Sequence, residues 1–346
     1  MKILCWNCRG LGNPRTVQDL SLMVKEKQPI LVFVCEIKIR SCKIVGLQRR
    51  LGMEGSFAVD SEGRRGGIVL FWRDEKGAEI VNYSKWHVTV IVKGERQEKD
   101  WCFTGFYGHS ESGKRRLSWD LLRQLKPTND GAWCVGGDFN EILWHNEKVG
   151  GKRRAESQIN LFREALEDCG LIDVGYRGNG FTWSNEHSDQ SFTKERLDRF
   201  VVNNEWKSIF KEVEVMAQTG RCSDHLPIVI STIDEGNGRR RGFFQFRFEA
   251  CWLQQEECEQ VVKEGWRKSL LASEPIQQVQ TRLQCCSQAL LSCFKGKDKR
   301  RGKEIEQVSK KIREIQGDLC QNNMEELKRL QEKVGLLLDQ EDVKWK

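Results

Sequence analysis

Eight short apolar runs punctuate the first two-thirds of the chain. They are ILCWNC (3–8), ILVFVCE (30–36), GGIVLFW (66–72), WHVTVIVK (86–93), DWCFTGFY (100–107), AWCVGGDF (132–139), RLDRFVVN (196–203) and LPIVISTI (226–233). Each is rich in Val, Ile or aromatic residues and bounded by Gly, Asp, Asn or Pro, which predicts strands. Their apolar content is high enough for burial on both faces. Helical spacing appears between them at Arg15–Lys27, Lys114–Leu125 and Glu156–Cys169, and Asn13-Pro14 is a fitting start for the first helix. GERQEK (94–99) reads as a hairpin connection, whereas helices separate other strands, so parallel and antiparallel pairings should mix. The pattern predicts an α/β (α+β) fold of packed sheets covered by helices.

The pattern changes at DEGNGRRRG (234–242). The expected organisation is a domain over 1–235, a linker over 236–242 and a charged helical tail over 243–346. In the tail, Ile305, Val308, Ile312, Ile315 and Leu319 follow helical spacing, and Leu327, Leu330, Val334 and Leu337 resume it after a phase break. That predicts an amphipathic helix or helical hairpin, packed on itself, on the first domain or on a partner helix. The seam is too short for a coiled coil to be read from it.

Composition narrows the classes. The chain has 346 residues, 57 Lys and Arg against 50 Asp and Glu, and a formal net charge of +7, a mild bias toward polyanionic partners. No apolar run is long enough to span a bilayer, and the N-terminus is too short and polar for a signal peptide. The 14 cysteines are scattered, several of them inside apolar runs, and are read as reduced thiols of a cytosolic or nuclear protein, not as disulfides or a zinc site.

The polar residues at the ends of the predicted strands carry the chemistry. Asn7 ends the first run, Glu36 the second, Tyr107 the fifth and Asp138 the sixth, with Asn140 two residues on. Asp198 lies inside an apolar run, and Asp224 and His225 precede the last one. Singly, most have bland readings. Asn7 would cap a turn and GDFN would be a tight turn around Gly136-Gly137. Asp198 is the exception: a carboxylate amid apolar neighbours needs a partner, with Arg196 or Arg199 as the bland choice. Together, Glu36, Asp138 and Asp224 with Asn7 and Asn140 form an all-oxygen set suited to Mg²⁺ or Mn²⁺. A single histidine beside a further aspartate orients an imidazole, and a tyrosine hydroxyl can donate to a phosphate oxygen. The chemistry these residues point to is metal-assisted phosphoester hydrolysis.

The ordered motifs WNCRG, CEIK, GFYGH, GGDFNEI, RLDRF and SDHLP resemble the endonuclease/exonuclease/phosphatase superfamily over essentially all of 1–235. CWNCRGLGNPRTVQDL, GFYGHSESGKRRLSWDLL, GDFNEILWHNEKVGG, GFTWSNE and RLDRFVVNNEW are similar to the apurinic-endonuclease-like domain of plant LINE-type (non-LTR) retrotransposons, truncated here before the reverse transcriptase. FQFRFEACW resembles the segment that follows that domain. The resemblance implies a four-layer sandwich of two mixed β-sheets flanked by helices. It implies Glu36 as main metal ligand, helped by Asp224 and Asn7, and Asp138 with Asn140 positioning the attacking water. It also implies His225, oriented by Asp198, at the scissile phosphate, and Tyr107 on a phosphate oxygen. The expected cofactor is Mg²⁺ or Mn²⁺, the partner DNA and the place the nucleus, with the cytosol as alternative. Ile37 stands where relatives carry Thr, and Arg65 and Ser110 also depart from the plant pattern.

Arg9, Lys38, Lys114, Arg115, Arg116, Lys152, Arg153 and Arg154 lie in or beside the motif loops, where phosphates would approach. Of Phe181 and Trp183, at least one is expected in the core. The leading function is an endonuclease nicking one DNA strand to leave a 3′-hydroxyl and a 5′-phosphate. The alternatives are a phosphatase acting on a small molecule or lipid, and an idle remnant or binding module.

Overall fold

The computed structural model describes residues 1–61, 66–73, 78–94, 99–129, 131–232, 252–253, 256–267 and 275–342, without the side chains of 275, 295–301 and 340–342. The expected linker, most of FQFRFEACW and Arg65 lie outside the described residues.

Six strands form the first sheet: β1 (Lys2–Asn7), β2 (Leu31–Cys35), β3 (Gly55–Val59), β4 (Ile68–Trp72), β14 (Val213–Ala217) and β15 (Ile228–Thr232). Their order is β14-β15-β1-β2-β4-β3. Another six form the second: β5 (Ala78–Ser84), β6 (His87–Val92), β7 (Trp101–Tyr107), β8 (Trp133–Asp138), β10 (Ile172–Asp173) and β13 (Asp198–Val202), ordered β10-β13-β8-β7-β6-β5. A small third sheet joins β9 (Lys148–Val149), β11 (Trp183–Ser184) and β12 (Lys194–Glu195). Among the described residues, β1 with β2 and β7 with β8 pair in parallel and the other pairs of the two large sheets are antiparallel. The mixed pairing follows the sequence expectation, and β6 and β7 are antiparallel neighbours on either side of GERQEK.

Side-chain alternation sorts residues into layers. Ile3 and Cys5 of β1, Leu31 and Phe33 of β2, Phe103 of β7, Cys134 of β8 and Phe200 of β13 share one core between the sheets. The alternate residues Leu4, Trp6, Val32 and Val34 pack outward with α1 (Pro14–Lys27) and α2 (Ile44–Leu51). Phe106, Trp133, Val135 and Val201 pack outward with α3 (Arg115–Gln124) and α4 (Glu156–Cys169). The result is the expected four-layer sandwich. The sheets approach closely: a Cβ on Gly105 would lie 2.2 Å from the Phe33 ring, which explains a glycine in the middle of β7. Helix α1 starts as the sequence suggested, with Asn13 accepting the Arg15 N–H at 3.0 Å and Pro14 at the first helical position. One short helix, α5 (Asn204–Ile209), caps the end of β13.

The tail is helical, with α6 (Cys258–Arg267), α7 (Pro275–Gly317) and α8 (Met324–Asp342). The break between α7 and α8 falls at the phase break in the sequence. Compactness divides the chain into Met1–Glu235 with Arg313–Lys328, and Gly236–Ile312 with Arg329–Lys346. Within the second unit, Trp252 stacks on Phe294 with centroids 5.6 Å apart. Among the described residues no helix is long and apolar enough to cross a membrane, and the described cysteines are free thiols.

Candidate active site

The same alternation that builds the inner core delivers the site. Asn7 continues the inward series Ile3, Cys5 of β1 at its last position. Tyr107 and Asp138 end the parallel strands β7 and β8, where they face each other in register. Asp198 opens β13 opposite Asp138, in phase with inward Phe200. A one-residue slip in any of these strands would turn its polar residue out of the site. Glu36 follows β2 directly, and the segment with Asp224 and His225 leads into β15, which is antiparallel to β1.

The polar atoms form one connected set. His225 Nδ1 lies 2.9 Å from Asp198 Oδ2, both residues buried. Arg196 and Arg199 pair instead with Glu147 and Asp173, so the expected alternative partners of Asp198 are engaged elsewhere. His225 Nε2 lies 3.5 Å from Asn7 Nδ2 and 3.9 Å from Asp138 Oδ2. The Asn7 amide donates to Asp138 at 2.9 Å and to Glu36 at 3.2 Å. Tyr107 donates its hydroxyl to the same Glu36 oxygen at 3.0 Å. Asn140 donates its backbone N–H and its side-chain amide to Asp138 at 2.9 and 3.1 Å, so the GDFN segment is both a local turn and part of the site. Gly137, with φ at 145°, supplies the positive φ expected of the glycine pair, while Gly136 is an ordinary strand position pressed against Phe200.

Asp224 joins this set indirectly. It takes two hydrogen bonds from Arg9, at 2.8 and 2.7 Å, and one from the Trp183 indole at 2.9 Å. Arg9 in turn lies 3.6 Å from Glu36 Oε2, where Lys38 also points at 3.2 Å. Arg9, Glu36, Lys38 and Asn140 all have positive φ between 51° and 58°. Such backbone costs roughly 1 kcal/mol per residue and clusters where function demands a fixed geometry.

The electrostatics separate the roles. Burial would raise the Glu36 carboxyl, but Arg9, the Asn7 amide and Lys38 outweigh it and hold it below its ordinary value. Asp224 is likewise lowered, by His225 and Arg9 against burial. Asp138 is raised, by burial first and by Asp198, with His225 opposing. Burial would lower His225, but Asp198 and Asp138 raise it above the ordinary imidazole value. Burial and Glu36 push the Tyr107 phenol up, so its hydroxyl stays a donor.

Two groupings offer themselves to a cation. Asp138, Asp198 and His225 present ligand atoms within 4.8 Å of one another. In that trio the imidazole Nδ1 and the Asp198 oxygen are already bonded to each other, which makes a proton relay rather than a ligand pair. Glu36 and Asp224 are ionised oxygen donors on which the cationic groups of Arg9 and Lys38 converge. Asn7 Oδ1 accepts the Arg9 backbone N–H at 3.4 Å. This donor set, hard and oxygen-only, fits Mg²⁺ or Mn²⁺.

Several contributors were not legible in the sequence. Ser223 Oγ donates to the Asn7 carbonyl at 2.8 Å and accepts the His225 N–H at 3.1 Å. Trp6 donates its indole N–H to the His225 carbonyl at 3.0 Å. Of the two aromatic residues in GFTWSN, Trp183 packs, partly buried, against the cluster of Ile142, Ile159 and Leu197 while turning its indole N–H to Asp224, and partly buried Phe181 lies under the Lys194 ammonium. Ile37 is fully buried and donates its N–H to Gly67, so the position that lacks Thr serves packing while Asn7 and Tyr107 hold Glu36. Of the basic residues, Arg115 and Arg154 are occupied by Glu141 and Glu195. Arg116, Lys152 and Arg153 are exposed.

Residues 4–225 match the Endonuclease/Exonuclease/phosphatase family. Among solved structures the chain is similar to an AP endonuclease from Archaeoglobus fulgidus, with TM-score 0.55 and 16% identity over 67% of this chain and 99% of that one. It is similar to AP endonuclease LMAP from Leishmania major, with TM-score 0.53 and 17% identity over 66% and 86%. It is also similar to the 3′ phosphatase NExo from Neisseria bound to a product DNA hairpin, with TM-score 0.54 and 16% identity over 67% and 99%. At these identities the likeness is one of fold. No curated protein matches the chain.

Proposed function

The chain belongs to the endonuclease/exonuclease/phosphatase family, and on that premise we propose that it is a Mg²⁺- or Mn²⁺-dependent DNA endonuclease. It nicks one strand to leave a 3′-hydroxyl and a 5′-phosphate. The observation that carries this reading is the convergence of Asn7, Glu36, Tyr107, Asp138, Asp198 and His225 at one end of the two inner sheet faces.

Glu36, Asp224 and Asn7 Oδ1 would hold the divalent ion, which supplies charge neutralisation at the phosphate. Asp138, raised toward neutrality and hydrogen-bonded to Asn140, takes the proton of the attacking water. His225, kept protonated by Asp198, offers its Nε2–H to a phosphate oxygen as negative charge builds there. Tyr107 donates to a second oxygen. Water forms the new P–O bond as its proton goes to Asp138, the P–O3′ bond breaks, and the 3′ oxygen leaves, taking its proton from solvent. The motif likeness to plant LINE-type elements supports a retroelement origin, in which that 3′ end would prime reverse transcription. A DNA substrate implies work in the nucleus.

Incubation with supercoiled plasmid and Mg²⁺ tests the proposal. The expected result is nicked circles that EDTA abolishes and that His225→Ala and Glu36→Ala fail to produce. Nicking that survives in both variants would sink the site assignment. Phosphate release from inositol phosphates without nicking would make the protein a phosphatase instead.

A further inference from the structure

We infer that the helical elbow Arg313–Lys328 is a positioning element of the hydrolytic site, holding the segment that carries Asp224 and His225. The inference rests on the nuclease reading for its activity arm only. The elbow lies beyond the family match, which ends at residue 225, yet it belongs to the same compact unit as Met1–Glu235.

Its polar contacts with that unit fall on the segments that frame the site. Gln316, buried, donates Nε2 to the Gly220 carbonyl at 2.7 Å, and Arg313 Nε reaches Thr219 Oγ1 at 3.3 Å. Asn179 Nδ2 donates to the Gln316 carbonyl at 2.8 Å and Lys194 Nζ to the Leu319 carbonyl at 2.7 Å. The carbonyls at the end of α7 have no intrahelical partner, and a lysine there also suits the helix dipole. The elbow is therefore received by matched donors rather than merely resting on the surface. Met324 and Leu327 are buried, and Leu319 and Leu327 line one depression with Phe181, Asp224 and Leu226.

From these segments the path to the site is short. The Leu226 N–H donates to Thr182 O at 2.7 Å and the Ser184 N–H to Asp224 O at 3.1 Å. Trp183 forms an isolated bridge with His225 and bonds Asp224 with its indole. The segment between β14 and β15 is anchored on the first sheet by Gln218 N–H to Pro227 O at 2.6 Å, Arg221 to Asp19 at 2.6 Å and Ser223 Oγ to Asn7 O at 2.8 Å. The elbow adds a hold from outside the family match, at Gly220, next to Arg221.

The test uses the full-length chain. Gln316→Met keeps the side-chain volume and removes the donor, and Gln316→Ala removes both. Lys333→Ala, which breaks the exposed Glu304–Lys333 pair elsewhere in the tail, is the control. Both Gln316 variants are expected to lower the turnover of plasmid nicking roughly tenfold with KM unchanged, Gln316→Met with little change in melting temperature and Gln316→Ala with a larger one. Amide exchange should quicken in residues 180–186 and 218–228 alone, and the control should match wild type. Unchanged turnover and exchange in Gln316→Met would overturn the inference, as would a loss in that variant matched by a general drop in melting temperature. If the wild type proves inactive on DNA, the proposed function falls and the exchange pattern alone decides the elbow.

Discussion

Two neighbouring residues of β13 lead into opposite kinds of charged cluster. Asp198 faces inward to His225 and the site, while Arg199 faces outward beneath α4, over the Phe162 ring. The outward cluster is balanced. Arg199 and Arg196 share Glu147 and Asp173 through contacts of 2.7 to 3.0 Å, with both arginines almost wholly buried. The inward cluster is not. Asp138, Asp198 and Asp224 act on one histidine and Glu36 joins them through Asn7, with Arg9 and Lys38 at the exposed rim. A buried cluster whose charges cancel needs nothing from outside and can serve stability. One left with excess negative charge is costly alone and, on the proposed function, would be completed by a cation and a reacting phosphate.

The sharpest break of this comparison exchanges single members of each cluster. Asp138→Asn and His225→Ala should each reduce plasmid nicking by about 10³-fold, about 4 kcal/mol of barrier, and Asp138→Asn should do so without lowering the melting temperature. A large loss of stability in Asp138→Asn would mean that the inward cluster is structural too. Arg199→Met should do the opposite. It leaves Glu147 with less compensation in a buried place and should cost about 3 kcal/mol in urea unfolding, with turnover per folded molecule kept.

Metal addition sharpens the contrast. Mg²⁺ at a hundredfold excess over its dissociation constant should stabilise wild type by about 2.7 kcal/mol in thermal unfolding, and Glu36→Gln should lose that gain while Arg199→Met keeps it. The smallest effect is one of acidity. Glu147 and Asp173 are held below their ordinary values by Arg199 and Arg196, against burial. Their contribution is complete above the unfolded carboxyl range, about pH 4, and is lost as pH falls through the depressed folded values. Asp138 is raised, so acid relieves rather than strains it. Melting temperature should therefore rise slightly, as Asp138 takes up its proton, from pH 7 to about 4.5 and fall below about pH 4. A steady decline across pH 5 to 7 would contradict the division of roles.

The legibility of the chain follows the same physics. The eight strands expected from apolar runs are β1, β2, β4, β6, β7, β8, β13 and β15, the four interior members of each large sheet. The strands that escaped notice at their margins, β3, β5, β10 and β14, are edges. Edge segments such as AEIVNYS and VEVMA are half exposed and carry polar residues that blur the pattern, whereas an interior strand must be apolar on both faces. The site residues at strand ends were legible for the converse reason, since a carboxylate closing an apolar run stands out.

The chain by itself thus determined the interior strands, the first helix with its cap, the break in the tail and the polar residues at the strand ends. Local pattern suffices for these, because burial dictates composition residue by residue. Only the tertiary structure decided that Asp198 meets His225 rather than Arg196 or Arg199, and that Arg9 and Trp183 stand between Asp224 and its neighbours. It alone brought Ser223, Trp6 and Gln316 to the same segment. Those contacts join residues far apart in the chain, and their geometry depends on strand register and on which face each side chain takes, which no local spacing records.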